Sequence, residues 1–506
     1  MSRISRASLL IAFFFAIDKV IGFVRQALFS RVFSPNELDI FLTSNNIPDL
    51  LSALISGGAL SVAFIPVLAA TLEKEGRPAA WALFTRVLNL AFLTTAAIAA
   101  VIILMAEPLV SHVTAPGFDP AKQALTAELM RLDLAAILIF SVSGLVMAGL
   151  QANQHFLLPA LAPAFYNLGQ IFGAAVLAPK DGLTLGPLTL PAFGLGLHGL
   201  VYGVILGALL HLGIQLPGLL RYQFHWSPAL DWKHPGVRQV LRLMGPRVIS
   251  MFCLQVYFVT RDNFASHLPS GSVTVLNYGW FVMQVPETLI GTAIAIALLP
   301  SLAEQIARGE RAEFTQTVNR TLRVMLAMTL PAAALLMVGI DPLLRAAFDF
   351  PAAQSELLAW ATRAFLAGLF GHAWLEVATR SFYAHQNAVT PLMGSILQIG
   401  LYFALAAGLS ALWGVVGLAL ADTLAFSGQA LVLLVVLTRR FPGALEVRST
   451  LGRAVCGAAL GALLAVGIVQ YAVFAPVLLR VLAALALGGL AALPWIWAEV
   501  KLLVKL

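Results

Sequence analysis

Charge is what this sequence has least of. Asp, Glu, Lys and Arg together make up 11% of its 506 residues, against about a quarter in an ordinary soluble domain. With 60% hydrophobic residues and a mean hydropathy of +0.89, the chain has too little polar surface to face water, which excludes a soluble globular protein and leaves a polytopic membrane protein. Cysteine is nearly absent. Cys253 and Cys456 both lie in apolar stretches, which excludes a disulfide framework or a thiolate metal centre and reads as two small core residues. His198, His211 and His372 show no metal-ligand spacing and read as interhelical hydrogen-bonding groups. Basic residues outnumber acidic ones by 31 to 24, but no basic block interleaved with aromatics occurs, so nucleic acid is excluded as a partner. No loop is long enough for a soluble domain. Nor does any loop carry the cluster of acids or histidines that a membrane-face transferase requires, so no catalytic residue is expected.

What is present is a succession of apolar runs. Arg3 and Arg6 precede the first, as in a signal peptide, but no small-residue cleavage site follows Phe13–Phe15 and Asp18-Lys19 comes next, so the run is expected to be a retained helix. A span needs about 20 predominantly apolar residues. Segments near 7–29, 39–70, 85–106, 126–152, 157–178, 192–219, 243–267, 272–300, 320–341, 355–384, 389–410, 413–438, 452–474 and 477–500 meet that rule. The fold class is therefore all-α, a polytopic membrane protein of about 14 transmembrane helices. Most Lys and Arg, such as Lys74, Arg77, Arg221, Lys233, Arg238, Arg308, Arg439 and Lys501, fall on one side of these spans, while Arg31, Lys122, Lys180 and Arg345 fall on the other. The positive-inside rule then puts both termini in the cytoplasm. The longest inner connection, Arg221–Arg242, is expected to lie along the surface as an amphipathic segment.

An internal repeat organises the spans. Phe23-Val24 and Phe29 match Phe258-Val259 and Phe264; Ala59–Pro66 resembles Ala293–Pro300; and Ala152, Gln154 and Pro159 match Ala384, Gln386 and Pro391. Six helices separate the copies, which predicts two parallel six-helix lobes with a central cavity between them and a C-terminal helix pair outside the repeat. The expected divisions are an N-terminal lobe over 1–220, a C-terminal lobe over 221–440 and the pair over 441–506.

Charges inside these spans mark the candidate site, because a charge at the bilayer centre costs at least about 2.5–3.5 kcal/mol and normally faces a polar cavity. At 1.5 Å per residue along the first helix, Lys19 lies roughly 18 Å into the membrane and Arg25 roughly 27 Å. The repeat places Arg261 and Asp262 beside the counterpart of Arg25, so an anionic group is expected to be held between two cations. Asp39, Ser52, Gln284 and Glu287 complete the expected substrate cavity. Snorkelling of Arg25 and Arg261 to the outer headgroups, paired with Asp39 and Asp262, is the alternative. Glu376 and Arg380, at i,i+4, read as structural glue or a coupling pair, and Asp422 as a coupling-cation ligand or a hydrogen-bond acceptor. No metal site is expected.

These residues carry a family likeness. Asp18-Lys19-Val20-Ile21-Gly22-Phe23-Val24-Arg25 resembles the first-helix pattern of the MurJ (MviN) lipid II flippases of the multidrug/oligosaccharidyl-lipid/polysaccharide exporter superfamily. Asp39 with Ile47-Pro48-Asp49-Leu50-Leu51 and Gly58–Pro66 resembles their second helix, Thr114–Phe118 their outer loop, Leu298–Leu302 the end of their eighth helix, and Phe382-Tyr383 with Gln386 and Thr390-Pro391 their helix 10–11 junction. The resemblance implies a transporter, not an enzyme. It would move undecaprenyl-pyrophosphate-linked peptidoglycan precursor from the inner to the outer leaflet of the bacterial cytoplasmic membrane by alternating access, without a cofactor. Sodium, a proton or the membrane potential would assist it, and it would act as a monomer. The resemblance gives Lys19 and Arg25 the positions of two family arginines that contact the pyrophosphate, and the last two helices the lipid groove. The chain departs from the pattern at Gln26, at Ser52-Ala53 where arginine is usual, at Gly57, at Trp280-Phe281 in place of Asp-Arg, and at Gln284. These departures point to a divergent member. They leave as alternatives an exporter of another polyprenyl-linked glycan or amphipathic substrate, or a non-transporting paralogue.

Overall fold

The computed structural model describes residues 3–57, 59–185, 188–471 and 476–503. They form two compact units, Met1–Ser270 and Gly271–Leu506.

The first unit is built from α1 (Arg3–Val32), α2 (Pro35–Leu51), α3 (Ala59–Lys74), α4 (Arg77–Leu109), α5 (Pro120–Ala152), α6 (Leu157–Phe172), α7 (Gly196–Gly213), the short α8 (Leu216–Arg221) and α9 (Pro235–Ser266). Local chemistry sets its helix starts. Ser34 caps α2 in a reciprocal box with Glu37, and Pro35 occupies the first turn, where its missing N–H is harmless. Asp119 caps α5 by accepting from the Lys122 N–H, again followed by proline. Between α2 and α3 the backbone widens into a π-helical turn at Ser52–Gly57. Phe64, Trp81, Phe84, Leu145 and Leu150 are buried in a common core that closes α3, α4 and α5.

α6 and α7 approach backbone to backbone. A Cβ added at Gly203 would lie 2.6 Å from the Cα of Gly173, and one at Gly169 2.3 Å from the Cα of Gly207. Only glycine permits that contact, the small-residue packing usual where lipid supplies no hydrophobic drive between helices. Residues 222–234 belong to the connection expected to lie along the surface as an amphipathic segment. They run as an irregular strap, because it is tied to α4 side chains: Asn89 donates to the carbonyls of Ser227 and Ala229, and Trp81 Nε1 to that of Tyr222. α9, which the sequence reading groups with the C-terminal half, packs on α2 and α3.

The second unit contains α10 (Ser272–Pro286), α11 (Ala293–Ala307), α12 (Arg311–Ala347), α13 (Ala352–Ala367), α14 (Leu369–Ala384), α15 (Val389–Arg440), α16 (Arg448–Tyr471) and α17 (Val477–Leu503). α15 is 52 residues long and bends at Trp413-Gly414, where Gly414 takes φ +55°; the bend falls at the start of the expected span 413–438. Phe314, Phe382 and Leu433 lie in its core. α12, α16 and α17 meet at the buried Glu499, which accepts from Arg323, Arg453 and Thr450. Cys253 is half-buried and Cys456 is exposed on α16 rather than in a core.

The expectation of an all-helical membrane protein holds. Among the described residues nine helices are each long and apolar enough to cross a membrane; fourteen crossings remains the sequence-based number. The repeat has a backbone counterpart. Of the four π-helical turns among the described residues, the one at Glu287–Thr292 starts 235 residues after the one at Ser52–Gly57 (287 − 52). Gln154 and Gln386, 232 residues apart (386 − 154), both take positive φ, at 60° and 56°. Each closes a helix end, with His155 N–H bonded to the Leu150 carbonyl and Asn387 N–H to that of Phe382.

Candidate functional site

α1, α2, α5, α6 and α7 of the first unit enclose a cavity of about 400 Å³. Its polar lining comes from Arg25 on α1, Asn45 and Asp49 on α2, Ser52 at the start of the π turn, Asp133 on α5, and Tyr166 and Gln170 on α6. Pro48 and the π turn follow one another here. Both loosen the helical hydrogen-bond ladder, which lets the α2–α3 span curve around a polar space.

Arg25 is held from α6. Its Nη1 donates to Asn167 Oδ1 at 2.8 Å, and Asn167 Nδ2 donates in turn to Asp18 Oδ1 at 2.8 Å. The guanidinium also lies 5.7 Å from the centroid of the Phe29 ring. Asp18 and Arg25 are seven residues apart, two turns, so they share a helix face, and one amide ties both. Lys19 points off that face and is exposed. On the opposite wall Phe140 packs edge-on to Tyr166 and His211, and His211 Nδ1 bonds Ser143 Oγ at 2.6 Å, the interhelical role expected of it.

Of the residues expected to line one substrate cavity, Arg25 and Ser52 are brought together here. Asp39 is not. It is 1% exposed and paired with Lys122 Nζ at 3.3 Å, while Lys122 also donates to Asn36 Oδ1 at 2.8 Å and lies over the Phe118 ring. Arg261 is buried against its neighbour Asp262 at 3.0 Å, and Asp262 Oδ2 accepts from Asn46 on α2 at 3.2 Å. The pair therefore sits in the first unit, against the helix that lines the cavity, with its charges mutually satisfied.

The remaining candidates belong to the second unit. Gln284 is exposed on α10. Glu287 opens the π turn at Glu287–Thr292, accepts from Thr292 Oγ1 at 3.0 Å and lies within electrostatic range of Glu376 and Arg380. Glu376 and Arg380 close on each other at 2.9 Å along α14. Asp422 is fully buried 3.9 Å from His372 Nε2, whose ring is flanked by Trp280 and Phe426.

Sequence reasoning missed Asp133 and Asn167. Asp133 carries the same signal as Arg25, a charge inside an apolar run. Asn167 and Gln170 carry no charge and leave no such trace; only the fold brings them to Arg25 and the cavity.

The model of the family described as "Lipid II flippase MurJ" matches residues 31–484. A protein of Burkholderia cenocepacia named "Lipid II flippase MurJ" is 29% identical over 76% of this chain and 74% of its own length. A "Probable lipid II flippase MurJ" of Rhizobium tropici is 28% identical over 84% and 79%. Among solved structures, "Lipid II flippase MurJ, inward closed conformation" superposes with a TM-score of 0.77 at 19% identity, covering 98% of this chain and all of that one. An inward-facing MATE-family transporter of the MOP superfamily superposes at 0.68 with 14% identity, covering 84% and 95%. These structural likenesses concern the fold.

Proposed function

The chain belongs to the lipid II flippase MurJ family, and from that premise we propose how the cavity of its first unit engages the cargo. The protein is a lipid II flippase, a multi-pass membrane transporter whose substrate is lipid-linked. The cargo's pyrophosphate calls for a cation inside the membrane span. The observation that carries the reading is Arg25: it reaches a polar cavity inside the membrane span and is oriented by a neutral amide, Asn167. A guanidinium so oriented presents a planar N–H fork whose geometry suits a phosphate. Ser52, at the π turn, adds a hydroxyl. Arg261 spends its charge on Asp262, so the phosphate contact falls first to Arg25. Lys19, exposed one face away, serves the approach of the headgroup rather than its grip.

In this reading the protein works by alternating access as a monomer in the bacterial cytoplasmic membrane, with both termini cytoplasmic. Transport draws on the membrane potential or on a sodium or proton gradient. Glu376–Arg380 is structural, closed along its own helix.

Complementation of a flippase-depleted cell tests this, with lipid-linked precursor measured in each leaflet. The chain is expected to restore growth and deliver precursor to the outer leaflet. Arg25→Ala is expected to leave precursor inside, and Arg25→Lys to recover part of the activity. If the unmutated chain leaves precursor inside, the flippase reading fails; if Arg25→Ala works as well as the parent, the headgroup contact is wrong.

A further inference from the structure

The headgroup contact leaves the acidic wall of the same cavity unused. Asp133, within α5, is 2% exposed and borders the cavity, and its Oδ1 meets no hydrogen-bond donor among the described residues. Asn45 Oδ1, from α2, borders the cavity too and likewise meets no donor among them. A buried carboxylate oxygen without a donor carries a large desolvation cost that something must offset. Asp49, exposed along the cavity, stands at the end of α2, and Tyr166 and Gln170 of α6 add further oxygen atoms.

The donor set is therefore oxygen from carboxylate, amide and phenol, the set that suits a hard cation and not a soft one. Charge selects the valence. Asp49 and Asp133 against Arg25 leave a formal −1 (−2 + 1) in the cavity, which one monovalent ion neutralises and a divalent ion overshoots. We propose that this cavity binds a monovalent metal cation through Asp133, the Asn45 side-chain oxygen and Asp49. Its occupancy would set the field at Arg25 and so link an ion gradient to headgroup binding; that link rests on the flippase reading, whereas the binding itself does not.

Purified full-length protein in detergent is titrated with sodium chloride against choline chloride at constant ionic strength, and its unfolding temperature is followed by tryptophan fluorescence. A saturable rise with sodium that choline does not produce is expected. Asp133→Asn abolishes the rise, Asp49→Asn raises the half-saturating sodium concentration by about ten-fold or more, and Asp341→Asn, in an exposed ion pair of the second unit, changes nothing. Absence of a sodium-specific rise in the parent, an undiminished rise in Asp133→Asn, or a stability that follows pH but not sodium overturns the proposal. Should Asp133→Asn fail to fold, Asp49→Asn decides, since an unchanged half-saturation there also overturns it. Leaflet-resolved complementation is scored on the same parent. Sodium binding without flipping keeps the cation site and sinks the flippase reading; flipping without sodium binding does the reverse.

Discussion

A carboxylate buried in an apolar span needs an offsetting partner, and Asp39 and Asp133 meet that need differently. Asp39 has Lys122 at 3.3 Å, with side-chain exposures of 2% and 8%. Removing one member of a buried pair strands the other charge, at a cost of about 3–5 kcal/mol. Lys122→Ala is therefore expected to lower the unfolding temperature sharply in detergent, and the double change Lys122→Met with Asp39→Leu to recover most of the loss. A single Asp39→Leu that leaves stability untouched but abolishes flipping would instead make Asp39 a substrate contact. The sequence placed Asp39 and Arg25 inside or close to the membrane spans and grouped them in one site, because depth can be counted along a helix. Which partner each found was not legible, since Lys122 lies 83 residues from Asp39 and Asn167 lies 142 from Arg25.

Helices here are shaped by what interrupts them. Pro48 and the paired π turns at 52 and 287 bend two spans, and the glycines of α6 and α7 bring two others into backbone contact. Replacing Gly203 with Leu would force a side chain where a Cβ already lies 2.6 Å from Gly173. Overpacking of that kind costs typically about 1–3 kcal/mol and more where backbone must move. Gly203→Leu is expected to reduce the folded yield on size-exclusion chromatography, with Gly203→Ala milder. Normal yield and stability for the leucine variant would show that α6 and α7 separate without cost. The interruptions themselves were visible as prolines and glycines in apolar runs. The π turns were not, because one extra residue per turn has no composition signature; their matching positions follow from the repeat that three short motifs already showed.

At the scale of the whole chain, Lys and Arg placement predicts a topology that labelling can check. In a background with Cys253 and Cys456 replaced by serine, Asp181→Cys, in the connection after α6, is expected to react with an impermeant maleimide in intact cells. Asp231→Cys, in the strap before α9, is expected to react only after the inner face is opened. The reverse pattern would invert the orientation drawn from the positive-inside rule. The same scale shows why the spans were easy to find and their grouping was not. Apolar length is a local property, whereas membership of a compact unit is a sum of contacts, and α9 makes contacts with α2, α3 and α4.

By itself the sequence determined the class of the protein, its helical spans, its repeat and its family, because hydropathy, charge count and ordered motifs are local and survive without coordinates. Tertiary structure alone decided which groups each intramembrane charge meets. Asp39 is taken by Lys122 and Arg261 by Asp262, while Arg25 is oriented by an uncharged amide and Asp133 faces a cavity. The physical reason is that the cost of a buried charge depends on the few atoms within hydrogen-bond reach, and those atoms come from distant parts of the chain.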